Sequence, residues 1–112
     1  MRIAIPMAGG KLTAHFGHCE QFALIDVDPG AKKILKKQEL KPPEHQPGLF
    51  PLWLAEQGTT LVIAGGMGAN AQNLFARSGI KVLTGASSRP PETLVAAYME
   101  GTLLTGENVC DH

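Results

Sequence analysis

Two short stretches of this 112-residue chain concentrate side chains able to bind soft metals. His15-Phe16-Gly17-His18-Cys19 puts two imidazoles and a thiol within five residues, and Cys110-Asp111-His112 puts a thiol and an imidazole at the C-terminus. His45 stands alone in the segment Lys41-Pro42-Pro43-Glu44-His45-Gln46-Pro47-Gly48. Neutral imidazoles and ionised thiols are metal donors, and thiolates favour soft metals and iron–sulfur clusters. H-x-x-H-C allows two ligands from one turn and C-x-H two from a tail, although neither is a standard zinc spacing. The residues alone leave several readings open. One is a metal or metal-cluster site, and another is Cys19 as a buried apolar side chain. In the third, Cys19 is a nucleophile with His15 or His18 as its base. That arrangement lacks an evident orienting carboxylate, since Asp26 sits within an apolar run, Asp28 belongs to a turn, and Glu20 and Glu39 complete no acid–base pair.

The second candidate is Gly65-Gly66-Met67-Gly68-Ala69-Asn70, between an apolar run and a helical pattern. Such a turn presents backbone N–H groups at a helix N-terminus, where anions are favoured. It lacks the Gly-Lys-Ser/Thr of a P-loop and the full G-x-G-x-x-G spacing. An anionic cluster or oxyanion suits it better than a nucleotide. The structural alternative is that only glycine fits a tight turn here.

The elements that must position these groups follow from the apolar runs. Arg2 to Ile5 reads as a strand ended by Pro6, and Met7 to Cys19 as a loop broken by Gly9, Gly10 and Gly17. Phe22 to Val27 is a strand covered on both faces, and Asp28-Pro29-Gly30 is a turn. Lys33 to Leu40 pairs back as an exposed edge strand whose lysines discourage sheet-to-sheet association. After the 41–48 loop, a helix over Leu49 or Phe50 to Gln57 tolerates Pro51 in its first turn and stops at Gly58. Thr60 to Ala64 is a buried strand, Ala69 to Ser78 a helix, Ile80 to Leu83 a last strand. Pro90 and Pro91 lead a final helix to Gly101. The order β-β-β-α-β-α-β-α implies a mixed sheet with parallel crossovers, hence a three-layer α/β fold.

Length and composition bound the rest. The chain suits one domain over residues 1–112, and 44% hydrophobic residues exclude disorder as the main state. Ten basic residues balance ten acidic ones, so no global field holds a nucleic acid or an anionic membrane. Neither a signal peptide nor a membrane-length apolar run is present, which points to the cytoplasm and to reduced thiols. The edge strand could pair in a weak dimer, but its lysines favour a monomer.

His15-Phe16-Gly17-His18-Cys19 with Phe22 three residues on, Ala64-Gly65-Gly66-Met67-Gly68, Gly79-Ile80-Lys81-Val82 and the ending Cys110-Asp111-His112 together resemble the dinitrogenase iron–molybdenum cofactor biosynthesis family. The likeness covers nearly the whole chain. It implies a ribonuclease-H-like fold with a five-stranded mixed sheet and no nuclease activity. It also implies binding of an iron–molybdenum cofactor, its precursor or a related metal–sulfur cluster, with cofactor-synthesis or acceptor proteins as partners. The chain lacks the radical-enzyme domain and C-x-x-x-C-x-x-C motif of the synthesis enzyme, so the expected role is non-catalytic carriage. In that reading Cys19, His15 and His18 ligate the cluster, and the turn Gly65, Gly66, Met67, Gly68 faces its negative charge. His45, Cys110 and His112 close the site. A simple zinc module is the alternative, with a thiol-dependent hydrolase behind it.

Overall fold

Alternation along the first strand decides which face of the sheet each residue serves. β1 (Arg2–Ala8) contributes Ile3, Ile5 and Met7 to one apolar cluster and Ala4 to another. The computed structural model of the chain describes residues 1–43 and 49–105. In it β1 lies in the middle of a six-stranded mixed sheet. On one side β3 (Gln21–Asp28) pairs antiparallel with β1, and β4 (Lys33–Leu40) pairs antiparallel with β3. On the other side β5 (Leu61–Ile63) and β6 (Lys81–Leu83) run parallel, giving the order β4-β3-β1-β5-β6.

The helices cover both faces. Leu94 and Val95 of α3 (Pro91–Glu100) pack with Ile3, Ile5, Ile25 and Ile63 on the first face. Phe50 and Leu54 of α1 (Leu49–Glu56) and Phe75 of α2 (Ala69–Arg77) pack with Phe22, Leu24 and Val62 on the second. A left-handed glycine follows each of the three helices, Gly58 after α1 with φ 79°, Gly79 after α2 with φ 75° and Gly101 after α3 with φ 76°.

The first segment needs correction on two counts. β1 does not stop at Pro6 but runs to Ala8, and the stretch expected to be a loop contains β2 (Lys11–Leu12). β2 pairs antiparallel with the end of β1 through Met7↔Leu12 and Ala8↔Lys11, so the sheet has six strands rather than five. Gly9 and Gly10 form the two-residue connection with φ of 63° and 80°, the double positive φ that this tight hairpin demands. Pro6 is tolerated because its carbonyl accepts from the Thr13 amide at 3.0 Å, on the side away from β3. A strand residue's nitrogen and carbonyl share a side, so the missing N–H also points away from β3. β5 has already ended there, since it pairs only Ile3 and Ala4 of β1.

Candidate functional site

Beyond the hairpin the chain runs from β1 across to the C-terminal end of β5. The Gly66 amide donates to the Ala14 carbonyl at 2.7 Å, and the Phe16 amide donates to the Gly66 carbonyl at 3.0 Å. His15 and Gly66 thus lie side by side in a short parallel bridge. The approach is close enough to dictate residue type. A Cβ on Gly65 would stand 3.0 Å from the Ala14 oxygen and 3.1 Å from both the Ala14 Cα and the Thr13 oxygen. A neighbouring loop locks on behind this one: the Gly85 amide donates to the Gly65 carbonyl at 2.6 Å, and the Ser88 hydroxyl to the Leu12 carbonyl at 2.6 Å.

Phe16 pins the histidine segment from below. It is buried, and its ring meets Phe22, Phe50 and Phe75 edge-on at centroid separations of 5.7, 5.7 and 5.6 Å. All four phenylalanines of the chain therefore gather under the motif. Phe16–His18 forms one 3-10 turn, with the Cys19 amide closing it onto the Phe16 carbonyl at 3.4 Å. His15 is exposed at the rim while Phe16 anchors the turn, so adjacent residues split rim and core between them.

The glycine turn divides in the same way. Gly65, Gly66 and Met67 are buried, and the Met67 side chain belongs to the apolar cluster with Phe75 and Val62. Its side chain therefore faces the core, and the Gly66 amide is already committed to Ala14. What remains open begins at Gly68, which precedes α2 in an extended conformation with φ −65° and ψ 155° and supplies no side-chain cap. A Cβ there would meet nothing within 4 Å. The first turn of α2 thus starts without a side-chain cap, beside exposed Gly68, Ala69 and Asn70.

Cys19, the expected thiolate, follows the Phe16–His18 turn. It is half-buried at the margin of the phenylalanine cluster, and desolvation pushes its thiol up to about 11. Among the described residues no three His, Cys, Asp or Glu side chains gather as a metal-binding group. His18 contributes its backbone to the 3-10 turn. His45, Cys110 and His112 lie outside the described residues. Next to Cys19, a cleft of about 440 Å³ opens between the hairpin tip Met7–Gly10, Glu20, Gln21 and Lys41. The Glu20 carboxylate accepts there from the Gly9 amide at 3.1 Å.

The geometry places an exposed histidine, an uncapped helix start and a polar cleft around the carboxyl ends of β1 and β5, the region where α/β sheets bind ligands. Comparison with known proteins agrees with the motif. The model of the family described as "Dinitrogenase iron-molybdenum cofactor" matches residues 1–101. The chain belongs to that family. An uncharacterized protein of Methanocaldococcus jannaschii is 26% identical to this member over 109 residues, covering 92% of this chain and 89% of that protein. The crystal structure of PH0822 superposes with a TM-score of 0.86 at 25% identity over 94% of each chain. The apo form of the orange protein from Desulfovibrio gigas superposes with a TM-score of 0.73 at 20% identity, over 96% of this chain and 93% of that one, a likeness of fold.

Sequence reasoning missed two contributors, the Thr13–Ala14 backbone and the Phe16 anchor. The first had a readable signal, because Gly9-Gly10 between apolar Ala8 and the Lys11-Leu12 pair is a two-residue hairpin connection that brings residues 11–16 back along β1.

Proposed function

We propose that this family member binds and carries an anionic metal–sulfur cluster, an iron–molybdenum cofactor or its precursor, without catalysing a reaction on it. The observation that carries the reading is the docking of the His15 segment on Gly66 beside the uncapped start of α2. Uncapped amides and the positive end of a helix dipole stabilise diffuse negative charge without forming a permanent bond. His15 is suited to ligate or hydrogen-bond the cluster from the rim. Cys19, neutral at physiological pH, is suited to a supporting place and would ligate only by releasing its proton to an incoming metal. Few strong protein ligands suit a carrier, which must release its cargo.

The same neutrality weakens the thiol-hydrolase alternative, since the thiol form is the poorer nucleophile. The fold is consistent with the ribonuclease-H-like architecture, with antiparallel β3 and β4 on one flank of β1 and parallel β5 and β6 on the other.

The test is anaerobic incubation of the apoprotein with isolated iron–molybdenum cofactor, followed by gel filtration and metal analysis. Molybdenum and iron should co-elute with the protein, survive in Cys19→Ser and fall at least tenfold in His15→Ala. Equal retention by wild type and His15→Ala, or no retention by wild type, would overturn the assignment.

A further inference from the structure

The outer edge of β4 is a surface feature that cluster binding leaves unused. β4 ends the sheet order, and among the described residues no element pairs with its outer side. Alternate residues of an edge strand turn their N–H and C=O groups outward, a ready template for another strand. Lys36 to Leu40 stay in regular register with Asp26 to Phe22 of β3, so a straight five-residue stretch is available.

Charge is concentrated at this edge. Five of the chain's ten cationic residues fall between positions 32 and 41 (Lys32, Lys33, Lys36, Lys37 and Lys41), against one acidic residue there, Glu39. Lys37 is held by Glu92 of α3 and by Glu39 at 3.6 Å. The other four enter no ion pair among the described residues. Within the lysines stand two apolar side chains turned to solvent, Leu35 at 66% and Ile34 at 39% exposure. Leu35 is the unopposed residue where the register shifts, between Ile34↔Val27 and Lys36↔Asp26.

We propose that this edge is a docking strand for an acidic, extended segment of another protein, which adds antiparallel or parallel to β4 as a further strand. Three features select that occupant. A second copy is disfavoured where two-fold antiparallel pairing centres on Lys36 or on Lys37, because that lysine then stands opposite its own counterpart. A nucleic acid or an anionic membrane would answer the lysines but leave the outward backbone groups unmatched. An alternating acidic and apolar segment answers all three, with backbone for backbone, carboxylates for Lys33 and Lys36, and an aliphatic group for Leu35. The lysines thus exclude the wrong strand and admit the right one. This proposal is independent of the cluster reading.

The test uses the full chain, isotopically labelled, titrated with a capped peptide of alternating glutamate and valine and followed by amide chemical shifts and hydrogen exchange. Two control arms are the same peptide N-methylated at every second residue, which cannot donate along one face, and a single-stranded oligonucleotide. The expected result is saturable shifts centred on residues 33–40, with new exchange protection at alternate amides of that stretch. N-methylation should weaken binding at least tenfold, and the exposed pair Lys33→Gln/Lys36→Gln about fivefold. Absence of saturable shifts at 33–40 would overturn the proposal. So would equal binding of the N-methylated peptide or of the oligonucleotide, either of which would make the edge a bare charge patch.

Discussion

Replacing Gly65 by alanine tests how tightly the histidine segment is seated. The added methyl would stand 3.0–3.1 Å from three backbone atoms of Thr13 and Ala14, closer than carbon normally approaches. Gly65 does not have a positive φ, so the substitution carries no conformational strain of its own and the effect is purely steric. Neither side yields cheaply. Ala14 is bonded to the Gly66 amide at 2.7 Å, and the Gly65 carbonyl is bonded to the Gly85 amide at 2.6 Å. Separating the two segments by a few tenths of an ångström weakens those bonds and the Phe16–Gly66 bond together. Overpacking of this kind costs about 1–3 kcal/mol. For a chain of this length that corresponds to a fall in Tm of roughly 4–12 °C. Thermal unfolding of Gly65→Ala would read the loss, and hydrogen exchange at the Phe16 and Gly66 amides would locate it. Unchanged Tm together with unchanged protection at both amides would refute the close-approach argument.

Four other predictions follow from named contacts and from burial. Phe16→Leu removes edge-on contacts with three rings, and denaturant unfolding should show a loss of roughly 1–3 kcal/mol. By contrast His15→Ala, at an exposed position, should stay within about 0.5 kcal/mol of wild type. Arg2 grips Asp26 through two bonds of 2.7 and 3.1 Å, and its guanidinium holds the Asp26 carboxyl below the ordinary range. A depressed folded-state pKa gives stability that is complete above the unfolded value near about 3.9 and vanishes as pH falls through the folded one. Asp26→Asn should therefore cost about 1 kcal/mol at pH 7 and flatten the acid limb, leaving the slope due to Glu92 beside Lys37. In a Cys110→Ser background, alkylation of Cys19 should accelerate with pH up to about 11. A rate that levels off below pH 9 would contradict the burial argument.

Much of this fold can be read from patterns that are local and strong. Phe22 to Val27 is apolar on both sides of the pleat because helices lie on both faces of β3, and the observed strand is one residue longer at each end. Asp28-Pro29-Gly30 announced the return to β4, and the Asp28 carboxylate caps the turn by accepting from the Gly30 and Ala31 amides. What was not legible depended on distant partners. Pro6 looks like a strand end until the returning chain is in place: β5 has ended before it, and on that side Thr13 donates to its carbonyl. Gly65 and Gly68 look alike in sequence, yet one is required by a backbone pressed against it and the other opens onto empty space.

The site divides along the same line. The motif marked a segment that the structure sets beside the glycine turn, while the burial of Phe16 that anchors it was not read from the sequence. The chemical state of Cys19 was not readable, since its desolvation comes from a cluster built from β3, α1 and α2. The buried place of Met67 likewise follows from α2 packing over the second face.

The most direct measurement of the central claim is a paired one on Gly68→Asp. Aspartate is a favoured helix N-cap, and the space and backbone angles at Gly68 accept it. It would satisfy an orphan amide of α2 and set a negative charge where the cargo's charge is held to lie. The account predicts opposite signs: unfolding stability equal to wild type or higher by up to about 1 kcal/mol, and anaerobic uptake of iron–molybdenum cofactor reduced at least tenfold. Full uptake by a stable Gly68→Asp protein would contradict it, because the helix start would then have no part in holding the cluster.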